Sequence, residues 1–121
     1  MARRRISDAD GLRALANVRE GSTERTDIAT AVRFLLEELA AIAPGKAVEV
    51  RVPPFGAVQC VGGLTHTRGT PPNVIETDAA TWIGLATGTL NWDEALDSGR
   101  VSASGSRADL AGLLPVHRAR A

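Results

Sequence analysis

Apolar and polar positions recur with two different periods along this chain, three to four residues toward both ends and two in the middle. Ser7-Asp8-Ala9-Asp10 has the form of a capping box with Asp10 at N3, and Leu12, Leu15 and Val18 follow on one side before Gly21. That pattern predicts a short helix over residues 8–18. From Thr26 onward Ile28, Val32, Leu35, Leu36, Leu39 and Ile42 fall at helical spacing, with Arg33, Glu37 and Glu38 largely on the opposite side. This is the stripe of a longer amphipathic helix, with Arg33–Glu37 as an i,i+4 pair and Pro44-Gly45 as its stop. The period then drops to two. Val48, Val50 and Val52 alternate with Glu49 and Arg51, predicting a half-buried strand over 47–52 that ends, or meets a sheet edge, at Pro53-Pro54.

Further strands are expected at Ala57–Val61, Leu64–Arg68 and Val74–Thr77, with Phe55-Gly56, Gly62-Gly63 and Pro71-Pro72 between them. The links are too short for helical crossovers, so an antiparallel meander is the expected arrangement. Helical signals return with Thr77 or Asp78 as a cap before Trp82, Ile83, Leu85 and Ala86, closed by Gly88. Asn91-Trp92-Asp93-Glu94 is a second box, leading to Ala95 and Leu96 and ending at Gly99. Arg100–Gly105 reads as extended chain returning to the sheet. Ser106-Arg107-Ala108-Asp109 is a third box, opening a last helix through Leu110, Leu113 and Leu114 before Pro115. The whole reads as α+β, an antiparallel sheet of about five strands with helices over one face.

Composition narrows what such a domain does. With 121 residues, 44% of them hydrophobic, the chain is expected to form a single domain spanning 1–121 with a real core, fraying at 1–6 and 117–121. Fourteen basic and fourteen acidic residues cancel, so there is no global attraction to nucleic acid, and Arg3-Arg4-Arg5 has no aromatic platforms beside it. Asp8 and Asp10 stand where the apolar run of a secretion signal would begin, and no apolar run is long enough to span a bilayer. A cytoplasmic protein without stable membrane insertion is the expectation. A lone cysteine, Cys60, rules out an intrachain disulfide and any multi-cysteine metal or cluster site.

Chemical motifs are sparse. His66 and His117 have no partner at a ligand spacing, so neither a metal nor another cofactor is expected. Alternation places Cys60 with Val58, as a buried thiol. His66, with Glu76 or Asp78, is the one arrangement that suggests proton transfer, and an exposed strand face accounts for it equally well. Arg100 with Ser102, Ser104 and Ser106 is compatible with an anion site, or simply with a solvated strand and a helix cap. Trp82 and Trp92, with Leu85, Leu90 and Leu96, and with Phe34 and Phe55 opposite, either fill a core or wall an apolar cavity; periodicity does not separate the two.

Several spaced motifs resemble the small bacterial orthologues of the sterol carrier proteins. They are Val50-Arg51-Val52-Pro53-Pro54-Phe55-Gly56-Ala57-Val58-Gln59, the run His66–Asp78, and Thr81-Trp82-Ile83-Gly84-Leu85-Ala86-Thr87-Gly88. Trp92–Ala95, Gly99–Gly105 and Leu110 to Pro115 carry the resemblance to about residue 116 from about residue 25. It implies a twisted, mostly five-stranded antiparallel sheet with helices on one face. It also implies one of two roles. In the first, an apolar tunnel between sheet and helices takes a fatty acid, acyl-CoA or other lipid without catalysis. Phe34, Phe55, Trp82, Leu85, Trp92 and Leu96 would then be its walls, and Arg68 or Arg100 would meet a carboxylate or phosphate head. In the second, the core is filled and the domain is an accessory or interaction module, with a homodimer or another protein as partner. An enzyme using His66 is a third and weaker reading.

Overall fold

The computed structural model describes residues 5–63 and 73–117. Helix α1 spans Asp8–Arg19, and Ser7 caps it as the box predicts, its Oγ accepting from the Asp10 N–H at 3.1 Å. Helix α2 spans Arg25–Ile42 and starts one residue before Thr26. Its first turn has no side-chain cap. Ser22 organises the entry instead, its hydroxyl accepting from the Glu24 N–H and donating to Asp27 at 2.7 Å. The expected stripe is buried at Val32, Leu35, Leu36 and Leu39, joined by Ala31 and Phe34, but Ile42 at the helix end is 53% exposed. The Arg33–Glu37 pair does not form. Arg33 Nε donates to the Phe55 carbonyl at 2.7 Å, while Glu37 accepts from the Ile6 N–H at 3.0 Å and lies 3.6 Å from Arg5. A backbone carbonyl within reach outcompetes a solvent-exposed ion pair, whose net worth is small.

The strands are β1 Val48–Val52, β2 Gly56–Cys60, β3 Val74–Thr77 and β4 Val101–Ser104, ordered β2-β1-β3-β4. β1–β2 and β3–β4 are antiparallel, but β1 and β3 run parallel, with Val50 opposite Ile75. The described sheet is therefore mixed, not an antiparallel meander. Short links do not force a meander here, because β2 already reverses the chain. It returns Cys60 to the side of Val48, and β3 begins at that same end, with Val74 beside Glu49. No helical crossover is needed. Four strands lie among the described residues; the fifth expected strand, Leu64–Arg68, lies outside them.

Alternation gives the sheet two unlike faces. Val48, Val50, Val52, Cys60, Ile75, Thr77 and Val101 are buried, whereas Ala57, Gln59, Glu76, Ser102 and Ser104 are exposed. Each apolar side chain of that size withdrawn from water contributes about 1.5–3 kcal/mol. Helix α3 (Ala79–Thr87) follows β3 through an Asp78 cap, whose Oδ1 accepts from the Thr81 N–H at 2.8 Å, and stops at Gly88 with φ +89°. Helix α4 (Trp92–Asp97) is capped by Asn91, as its box predicts.

The third box does not form. Residues 106–110 are irregular, and only a 3-10 turn, Ala111–Leu113, follows. A buried amide takes the chain for another purpose. Asn73 is 4% exposed; its Nδ2 donates to the Ala47 carbonyl at 2.9 Å and its Oδ1 accepts from the Arg107 N–H at 2.8 Å. A buried side-chain amide must be paired, and Leu110, fully buried, holds the same segment down. At the other end of β2, Val61 adopts φ +67°, a conformation rare for a branched residue. It is held by hydrogen bonds to the Ala43–Ala47 bend, where a Cβ on Gly45 would overlap the Val61 carbonyl.

Candidate functional site

The layer between sheet and helices is packed with side chains. Trp82, on α3, is fully buried, and its indole N–H donates to the Val32 carbonyl of α2 at 3.2 Å. Leu35, Leu39, Val50, Ile75 and Leu85 are each 1% exposed or less. Phe34 points to the other side of α2. A Cβ on Gly11 of α1 would overlap its ring, and the His117 ring meets it edge-on with centroids 6.2 Å apart. Trp92 is 6% exposed at the start of α4. With Leu85 it lines a cleft of about 370 Å³ that also has Leu90, Leu114 and the acidic Asp93 and Glu94 on its walls. Leu96 is half-buried. Arg100 is exposed, and among the described residues only its backbone is engaged, accepting from the Thr77 hydroxyl at 2.7 Å and donating to the Ala95 carbonyl. Arg68 and His66 lie outside the described residues. Of the expected wall residues, the structure brings Leu85 and Trp92 to one cleft and sets Phe55 elsewhere.

Phe55 lies at a larger opening, a groove of about 940 Å³ along the flank of the molecule between α2 and β2. Leu36, Ala40 and Ala41 line it from the helix, and Ala57 and Val58 from the strand. Small residues on both walls create it. Gly56 lies so near α2 that an added Cβ would meet Leu36 Cδ1 at 3.4 Å, and farther along Ala40 and Ala41 leave the space open. The groove is open to solvent, with a mostly apolar surface and a charged rim of Arg5, Arg33, Lys46 and Glu37. Glu37 is engaged by Ile6 and Arg5, so the rim is cationic on balance.

Residues matched to the family of bacterial SCP orthologs run from 24 to 116. The chain belongs to that family. The match takes in every element except α1, and it starts at Glu24, the residue that precedes α2. No curated protein matches the chain. The family member described here has no group of three or more His, Cys, Asp or Glu residues able to hold a metal ion among its described residues. No helix among them is long and apolar enough to cross a membrane. Cys60 is buried on the inner face of the sheet, and that burial pushes its thiol up to about 11, a poor nucleophile at neutral pH.

The groove residues Arg33, Leu36, Ala40, Lys46 and Val58 are not among the site candidates that the sequence marks. The signal available is a pair of small-residue runs, Ala40-Ala41 and Gly56-Ala57, on the helix and the strand that wall the groove. Bulky aromatics drew attention instead, and two of them, Phe34 and Trp82, sit where aromatics usually sit, in packed interior.

Proposed function

We propose that this protein is a non-catalytic carrier of a hydrophobic ligand, a fatty acid, acyl-CoA or other lipid, and that the groove between α2 and β2 is where the apolar chain lies. The observation that carries the reading is the groove itself, about 940 Å³ with Leu36, Ala40, Ala41, Phe55 and Val58 on its walls. Its size falls at the upper end of the range that ligand sites occupy, roughly 300–1,000 Å³. Membership of the SCP ortholog family supports a lipid ligand. The ligand lies on the flank because the interlayer is filled by Trp82 and its neighbours.

Native mass spectrometry with added decanoate tests the proposal. A saturable adduct on wild-type protein, absent from Ala40→Trp, is the expected result. Tryptophan emission is expected to stay unchanged, because Trp82 and Trp92 are buried away from the groove lining. A large emission shift would place the ligand in the interlayer instead, and no adduct with any chain length would overturn the carrier reading. A filled interlayer favours a second reading, an accessory module that binds a protein, including a second copy of itself. Sedimentation of the unliganded protein as a stable dimer, with no adduct, would move the assignment there.

A further inference from the structure

We infer that Arg25 and Arg33, gathered at Phe55, form an oxyanion site at the mouth of the groove, for the carboxylate or phosphate head of the ligand whose chain lies in it. The inference rests on the carrier reading and adds the ligand's charge. Arg25 and Arg33 are eight residues apart on α2, about 12 Å along its axis, yet both side chains reach the same residue. The Arg25 guanidinium lies over the Phe55 ring, 5.3 Å from its centroid, and Arg33 Nε donates to the Phe55 carbonyl at 2.7 Å. Stacking on the ring and bonding to the carbonyl restrict two side chains that would otherwise be free to spread apart.

Two cations drawn toward one residue repel each other, and the described surroundings do not neutralise them. Among the described residues neither guanidinium has a carboxylate within 4 Å. Glu37, one turn along from Arg33, is held by Ile6 and Arg5. Asp27, near Arg25, accepts from Ser22 at 2.7 Å and from Asn17 at 3.4 Å. Glu24, the extended residue before the helix, adjoins Arg25 in sequence but does not bring its carboxylate within 4 Å of either guanidinium. Arg33 spends Nε on the backbone and, among the described residues, keeps both terminal nitrogens, the part of the fork that meets an oxyanion side by side. Arg33 and Phe55 both line the groove, so an anion held here continues directly into the apolar walls.

Titration with decyl phosphate, decan-1-ol and inorganic phosphate separates the charge from the chain. Calorimetry and the ¹⁵N-edited resonances of the arginine side chains are the readouts, on wild type, Arg25→Gln/Arg33→Gln and Ala40→Trp. Decyl phosphate is expected to bind about tenfold or more tightly than decan-1-ol, a charge-assisted contact's worth. The double variant should erase that preference while its far-UV spectrum stays native, and added salt should weaken it. Equal affinity for the two amphiphiles, unchanged in the double variant, overturns the anion site and leaves the groove standing. If neither amphiphile binds but inorganic phosphate shifts the Arg25 and Arg33 resonances, and the double variant abolishes it, the anion site stands with a free oxyanion as its ligand and the carrier reading falls. Silence from all three probes removes both.

Discussion

The two sides of helix α2 are built from the same secondary structure and end in opposite states. Toward the sheet and α3 it presents Val32, Leu35 and Leu39, and Trp82 fills the space beyond them. Along the flank facing β2, Leu36 meets Gly56, the helix residues past it shrink to Ala40 and Ala41, and a groove of about 940 Å³ remains. Both sides are apolar, so hydrophobicity does not separate them. Side-chain volume does, because an interior packs at crystal-like density only when large groups are available to meet. A ligand-sized space in a small domain therefore follows from where the alanines and glycines lie more than from where the aromatics do.

Removing the largest interior group should break this contrast most severely. Trp82→Ala is expected to destabilise the fold by about 3–5 kcal/mol, read from a urea transition, through the void and the lost hydrogen bond to Val32. If that variant instead keeps wild-type stability and gains affinity for decanoate, the interlayer is already a cavity. Gly11→Ala probes the third contact of α2, where a Cβ would overlap the Phe34 ring. A loss of about 1–3 kcal/mol is expected as α1 is forced off α2. By contrast Gly56→Ala, at the groove end, meets Leu36 only at 3.4 Å and should shift stability by about 0.5 kcal/mol or less.

The buried thiol offers a pH test of the packed side. Burial disfavours the Cys60 thiolate and pushes the thiol up from an ordinary 9.0 to about 11. Below pH 9.0 both states hold the proton and the full contribution is present. Between pH 9.0 and about 11 the unfolded chain gives it up and the folded chain does not, so stability falls as pH rises. Urea midpoints across that window should fall less steeply for Cys60→Ala than for wild type. The smallest expected effect is on the open side. Ala40→Trp should leave the unfolding free energy, read from a urea transition, within about 0.5 kcal/mol of wild type while abolishing decanoate uptake. A cooperative loss of structure in that variant would show that the groove is packed interior after all.

Local chemistry was readable in order. Ser7, Asp78 and Asn91 cap the helices their sequences mark, and the Val48–Val50–Val52 alternation becomes the buried face of β1. These features depend on neighbours within four residues, so a linear sequence carries them. Distant groups override the local signal at two places. The Ser106 box yielded to Asn73, 34 residues from Arg107 in the chain, and the Arg33–Glu37 pair yielded to the Phe55 carbonyl, 22 residues away.

The candidate site shows the same division more sharply. That Phe55 would matter was visible from its place in a family-like motif, but its companions Arg25 and Arg33 lie on another element and share no motif with it. Sequence alone determined the types of α1 to α4 and β1 to β4, the caps of α1, α3 and α4, the inner face of the sheet and the family. Tertiary structure decided that β3 runs parallel to β1, that Trp82 and Phe34 fill space, and that the opening lies on the flank between α2 and β2. The reason is one of range: hydrogen bonds and periodicity within an element are set by adjacent residues, whereas volume, pairing direction and the meeting of charges are sums over residues brought together only when the chain folds.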